Sequence, residues 1–370
     1  MARSAKEVRQ ILDKVKQENS AGDVTLSDDV AVSILAIALL ASNVSEEVKN
    51  GISVFFLDLI QSTEVSPEIL NVLYLFAPAY SADVQLPLVT AIAQSPYVTA
   101  EMLNSMSVCV GDRQSAFEGL ELAWKELIAI CPILSFCNSS YVKDHELAIT
   151  QAIISSPQAN RQTLDTVAVN VKNYAPGHQL EVVNYVLQSP LVDYDVIKSL
   201  ALTAPSYAPE NQLPSTRAII AFLETKTKAE AGAENTDTLE TLLYRAEHYD
   251  PAQKLPAIQN ILESPAAGIE VLKAAAIRMA SYNKELRLPA CRNIITALAS
   301  KPEPQTEKSR VLNLLLYTAE QCEPDEKTAM ARIILKSPYA DKDIKSKANG
   351  LIPRRHFKIG PSRRNESAPL

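Results

Sequence analysis

The chain has 370 residues, enough for two or three globular units or for one elongated repeat array in which each unit shares a core with the next. A composition of 47% hydrophobic and 21% charged residues excludes a disordered chain, and only 9 glycines among abundant Ala, Leu, Ile, Glu and Lys favours helices. The formal charge of -7 argues against a general nucleic-acid-binding surface, while leaving room for a small basic site.

Residues 1–23 are a polar segment without the apolar core of a signal peptide. The following stretch, 24–44, is read as an apolar capping helix. Its most apolar run, Val30 to Ala41, covers about three helical turns, too short to span a membrane. No transmembrane segment is expected, and the expected location is cytoplasmic. The cysteines Cys109, Cys131, Cys137, Cys291 and Cys322 are odd in number and widely spaced, which reads as buried reduced thiols rather than a disulfide framework.

From Ser62 onward one local pattern recurs. Serine–proline corners stand at Ser95-Pro96, Ser156-Pro157, Ser189-Pro190, Ser264-Pro265 and Ser337-Pro338, with a variant at Ser62. Apolar residues precede each serine and close the buried stripe of one helix. Proline then stops that helix, because it lacks an N–H and biases its predecessor away from helical geometry. Four residues past the serine come Ser66, Thr99, Asn160, Asp193, Gly268 and Asp341, all residue types that suit a helix N-cap. Two positions farther come Glu68, Glu101, Gln162, Asp195, Glu270 and Asp343, acidic in five cases and matched to the positive end of a helix dipole. The pattern is a stop, a corner and a restart.

Spacings support repetition. Ser62 to Ser95 and Ser156 to Ser189 are both 33 residues, while the gaps of 61, 75 and 73 residues between the other anchors each accommodate two units. The missing corners are expected near Cys131-Pro132, Glu224-Thr225 and Lys301-Pro302. A second marker, Tyr174-Ala-Pro176, Tyr207-Ala-Pro209 and Tyr249-Asp-Pro251, falls after the second helix of its unit, with Tyr282-Asn and Cys322-Glu-Pro324 in similar places. There tyrosine is expected to close the apolar seam with its hydroxyl near solvent, and proline to end the helix. Ala229 to Thr238 reads as a loop insertion.

These features predict an all-α chain: a right-handed alpha-solenoid of degenerate helix-hairpin repeats, with about eight or nine hairpins over 24–345 and a basic flexible tail over 346–370. The layout resembles the broad class of HEAT, armadillo and tetratricopeptide arrays in period and helix grammar, without the fixed Trp-Leu-Gly-Tyr framework of the last. The serine–proline corner also resembles leucine-rich-variant repeats, which are shorter. No functional residue carries over from so general a likeness.

For chemistry the chain offers little. It has no GxGxxG, Walker, HExxH or GxSxG motif, so no catalytic or metal-binding residue is assigned and no cofactor is implied. Of the histidines His145, His178, His248 and His356, His248 beside Glu247 and Asp250 is the most suggestive cluster. Trp124 reads as inter-repeat packing or an interface anchor. Arg354, Arg355, Phe357, Lys358, Arg363 and Arg364 form a basic patch that suits an acidic partner, a phosphate or a peripheral acidic surface. The expected function is a protein–protein interaction scaffold or adaptor binding another protein or peptide. The alternatives are an enzyme or enzyme inhibitor with a pocket between repeats, and a phosphate or nucleic-acid module using the basic tail.

Overall fold

The computed structural model describes residues 46–61, 65–77, 80, 82–110, 142–226 and 228–353. Among them there is helix and no strand. In chain order the helices are α1 (Glu46–Gln61), α2 (Pro67–Phe76), α3 (Ala82–Gln94), α4 (Ala100–Cys109), α5 (Glu146–Ile154), α6 (Arg161–Asn170), α7 (Pro176–Gln188) and α8 (Tyr194–Thr203). They continue as α9 (Pro209–Thr225), α10 (Lys228–Ala246), α11 (Pro251–Glu263), α12 (Ile269–Arg278), α13 (Lys284–Ser300), α14 (Gln305–Glu320), α15 (Pro324–Leu335) and α16 (Lys342–Gly350). None of these helices is long and apolar enough to cross a membrane. The chain divides into two compact units, Met1–Ala257 and Ile258–Leu370.

Each serine–proline corner is a β-turn that local chemistry dictates. The serine carbonyl accepts the amide three residues on, from Val98, Ala159, Val192, Ala267 and Ala340 in turn, at 3.0–3.2 Å. Proline sits at the second turn position, where its fixed φ fits and its missing N–H is not needed. The serine Oγ accepts the amide two residues on, as in Leu191 to Ser189 at 3.2 Å and Ala266 to Ser264 at 3.1 Å. These serines are buried, so the side chain replaces water at the stop. Lys301 takes the serine's place before Pro302, and its buried Nζ donates to the Ser264 carbonyl at 2.9 Å.

The restart follows at once. Ser66, Thr99, Asn160, Asp193 and Asp341 occupy N-caps and accept an amide three residues on, for example Val196 on Asp193 at 3.0 Å. Gly268 caps α12 without a side-chain bond, in an extended conformation with φ −76° and open space around its Cβ direction. Gly268→Ser is therefore expected to stabilise the fold by only about 0.3 kcal/mol, read as a slightly higher urea midpoint, since glycine is itself a tolerated N-cap. No change would mean that the backbone there already has its amides satisfied.

In the first unit the initial helices of successive hairpins pack in the series α1, α3, α5, α7, α9, and the second helices in the series α2, α4, α6, α8, α10. In the second unit α12 packs on α14 and α14 on α16, while α13 packs on α15. The shared core repeats with the helices: Leu164, Val167 and Ala168 on α6 face the same way as Ile197, Leu200 and Ala201 on α8, all essentially inaccessible.

Several sequence expectations change here. Residues 229–238 are part of helix α10 rather than a loop, because Asn235, Thr238 and Leu239 are buried on it and Gly232 is tolerated on its exposed side. The described hairpins on either side of residues 111–141 pack on each other, α3 on α5 and α4 on α6. The Cys131-Pro132 corner itself lies outside the described residues, as do Ser62 and the segments 1–23 and 24–44. Pro176, Pro209 and Pro324 open the next helix instead of ending the previous one, since proline loses nothing at a helix N-terminus. The turn tyrosines Tyr174, Tyr207 and Tyr249 are buried to their hydroxyls rather than reaching solvent. The last helix, α16, runs through Gly350, past the start of the segment assigned to the tail.

A buried polar rung joins neighbouring hairpins of the first unit. Gln179 donates through Nε2 to the Tyr174 carbonyl at 3.2 Å and accepts the Ala208 amide on Oε1 at 2.8 Å. Gln212 repeats this between Tyr207 and Asp250, at 3.2 and 2.8 Å, and Gln85 between Tyr80 and Val142, at 2.8 and 3.0 Å. Each rung stands five residues after its tyrosine, and a helix-internal proline follows two residues later at Pro87 and Pro214. The carbonyls those prolines leave without a helical donor belong to Asp83 and Glu210, which are exposed, so water can serve them.

Candidate functional site

Of the residues singled out for interaction, Trp124, Arg354, Arg355, Phe357, Lys358, Arg363 and Arg364 lie outside the described residues. His248 follows α10 and is exposed, with its ring edge-on to Tyr244 at 5.8 Å. Asp250 does not join it: its Oδ1 accepts the Ala252 amide at 3.0 Å, and its own amide goes to Gln212. His178 Nδ1 lies 2.9 Å from Oε2 of buried Glu146, which also accepts the Ala175 amide at 3.0 Å. Glu146 thus fills the acceptor half of a rung, and the histidine supplies a donor. His145 sits at the N-cap of α5 without a capping bond. Cys109, Cys291 and Cys322 are buried thiols outside any disulfide, and burial pushes the Cys291 thiol up to about 12, out of the range of a nucleophilic thiolate.

The feature that stands out lies on the second helices. Three of them in the first unit carry three consecutive apolar residues near the C-terminal end: Val167-Ala-Val169 on α6, Leu200-Ala-Leu202 on α8 and Leu242-Leu-Tyr244 on α10. A helix turns about 100° per residue, so only two of the three can face the core. The third is left in solvent each time, at Val169, Leu202 and Tyr244. All three stand five residues before a turn tyrosine, and α6, α8 and α10 are consecutive neighbours, so they form a row across three helices. The second unit repeats the arrangement with Ile277 on α12 and Tyr317 on α14, which are 58% and 64% exposed. The row was missed in the sequence because each member sits inside an apolar run that reads as core.

Beside this row, toward the helix N-termini, charges are tied from helix to helix. Arg161 on α6 pairs with Asp193 at 2.6 Å and with Asp195, and Lys198 on α8 pairs with Asp237 on α10. In the second unit Lys273 reaches Glu270 at 2.7 Å and Glu307 at 2.8 Å. The hydrogen bond from Lys273 holds the Glu307 carboxyl below its usual range. Exposed pairs of this kind contribute little stability, typically below about 1 kcal/mol. They set the charge pattern next to the apolar row.

No known family pattern matches this sequence, and no curated protein matches it either. The face therefore has to be read from its own chemistry. Among the described residues no cluster of three or more histidine, cysteine or acidic side chains is arranged to hold a metal. Shallow openings do occur at the end of α16, near Asn349 and Pro353, and beside the α6 N-terminus at Arg161 and Asp165. The exposed apolar row is the candidate site.

Proposed function

We propose that the chain is a protein–protein interaction scaffold, a right-handed alpha-solenoid of degenerate helix-hairpin repeats of the broad HEAT, armadillo or tetratricopeptide kind. We place its work in the cytoplasm, in line with buried thiols outside any disulfide. The observation that carries this reading is the register of the exposed apolar residues. Single apolar side chains on a surface are ordinary. Recurrence at one helical position, hairpin after hairpin, is not needed for folding, and an apolar row rimmed by polar groups suits a binding face. Helix-on-helix packing would hold such side chains in fixed orientation, limiting the entropy lost when a partner binds.

A photo-crosslinking residue tests this directly. Placed at Tyr317, on the row, it is expected to give a discrete crosslinked partner in cells. Placed at Glu285, exposed on first helix α13, it is expected to give none. Equal yields from both positions would defeat the assignment of this face.

A further inference from the structure

The two most exposed large apolar side chains among the described residues are Tyr317 and Ile277, at 64% and 58%, and both belong to the second unit. Hydrogen bonds fix where they stand. Thr318 Oγ1 on α14 donates to the Ala276 carbonyl on α12 at 2.8 Å, which sets the adjoining Tyr317 and Ile277 side by side. Helices α14 and α16 run in the same direction. Ser309 Oγ donates to the Tyr339 carbonyl at 3.0 Å just before α16, and Lys347 Nζ donates to Asn313 Oδ1 at 3.4 Å farther along. One turn past that second contact come Tyr317 on α14 and Leu351 at the end of α16. The chain therefore leaves α16 beside the most exposed part of the row, through half-buried Leu351 and Ile352 to exposed Pro353.

We propose that residues 354–364 of the same chain occupy this part of the row until a partner displaces them, with Phe357 against Tyr317 and Ile359 against Ile277. The inference rests on the row being a binding face and adds how access to it is regulated. Phe357 and Ile359 are the large apolar residues of that segment. Residues two apart point the same way in an extended chain, about 7 Å from each other, and Gly360-Pro361 disfavours a helix there. Reach is sufficient. From Leu351 to Phe357 the chain extends up to about 20 Å, against about 8–10 Å between packed helices. Ile359 then meets Ile277 on the next helix. The same path carries Arg354 and Arg355 past the C-terminal ends of α16 and α14, where the helix dipole favours positive charge. Side-chain charge does not select the occupant, since Arg278, Glu320 and Lys347 near the row are of mixed sign. Tethering does. A segment joined this closely is present at an effective concentration on the order of 1 mM, ahead of a free competitor of similar chemistry.

The test uses the purified full chain with a photo-crosslinking phenylalanine derivative in place of Tyr317. Mass spectrometry of the irradiated chain is expected to find crosslinks within one molecule to residues 354–364. Phe357→Ser with Ile359→Ser is expected to lower their yield about fivefold or more, with helical circular dichroism unchanged. In cells the same serine pair is expected to raise the yield of crosslinked partner at 317, because the competing segment is weakened. Crosslinks to 354–364 that are absent, or as frequent with the serine pair, would overturn the inference. A partner still captured in cells at equal yield from both chains would then leave the binding face standing. Strong crosslinks to 354–364 with no partner captured from either chain would make the segment a permanent cover and defeat the binding face. Crosslinks between two chains that grow with concentration would reassign this part of the row to a second copy and overturn occupancy in cis.

Discussion

Gln212→Leu is expected to lower the unfolding free energy by about 3 kcal/mol or more, although the two side chains are similar in size. The glutamine is 4% exposed and satisfies three backbone groups at once, the carbonyls of Pro205 and Tyr207 and the amide of Asp250. Leucine leaves all three buried or half-buried without a partner. A buried polar group stripped of its partner costs roughly 1–3 kcal/mol. Urea titration followed by circular dichroism reads the loss. Hydrogen exchange at Asp250 reads the mechanism, since that amide should become one of the faster exchangers in its turn. A midpoint shift below about 1 kcal/mol would show that the rung matters little to stability. Gln212→Glu separates the two halves of the rung, because it keeps an acceptor for Asp250 and loses both donors.

Alkali is expected to unfold the first unit in a cooperative step tied to its buried tyrosines. Burial raises the phenol of Tyr249 to about 12, and its hydrogen bond with Thr216 only partly offsets that. Burial raises Tyr174 and Tyr207 further, with Thr150 and Thr203 as the respective partners. The sign follows from linkage. The folded value lies above the unfolded one, so this stability is fully present below about pH 10 and is lost as pH rises through the folded values. Tyr249 alone accounts for a loss of about 2–3 kcal/mol across that window. Phenolate absorbance and helical circular dichroism, followed together, should show part of the tyrosine signal emerging only as helix is lost. A smooth phenolate titration with the helix intact to pH ~12 would contradict the burial of these hydroxyls.

Gly268→Ser tests the opposite direction, a cap the chain lacks, and its expected gain is smaller. Taken together, the three substitution and pH experiments probe the rung, the buried turn tyrosines and the helix restart of the repeating pattern.

The alternation of helix and corner was legible in the residues because its causes act within a few positions. Proline removes an N–H, the serine Oγ accepts the amide two residues on, and Thr99, Asn160 or Asp193 begins the next helix by accepting an amide three residues on. Such chemistry needs no distant partner. The misreadings arose where a distant partner decides. Residues 229–238 look loop-like in isolation, yet Asn235 and Thr238 are buried once α10 packs on α8. The tyrosine hydroxyls read as solvent-facing until a threonine on the first helix of the same hairpin, Thr150 or Thr216, supplies a partner inside.

The same division applies to the candidate site. Sequence alone determined that second helices end in short apolar runs, because composition and order are local facts. Which member of each run faces out depends on where the neighbouring helices sit. Val167 and Ala168 are enclosed and Val169 is not, and the five-residue offset from a buried tyrosine repeats that choice along the chain. Tertiary packing therefore converted a run that reads as core into a row of exposed anchors, by burying two of three residues on a helix that turns about 100° at each step.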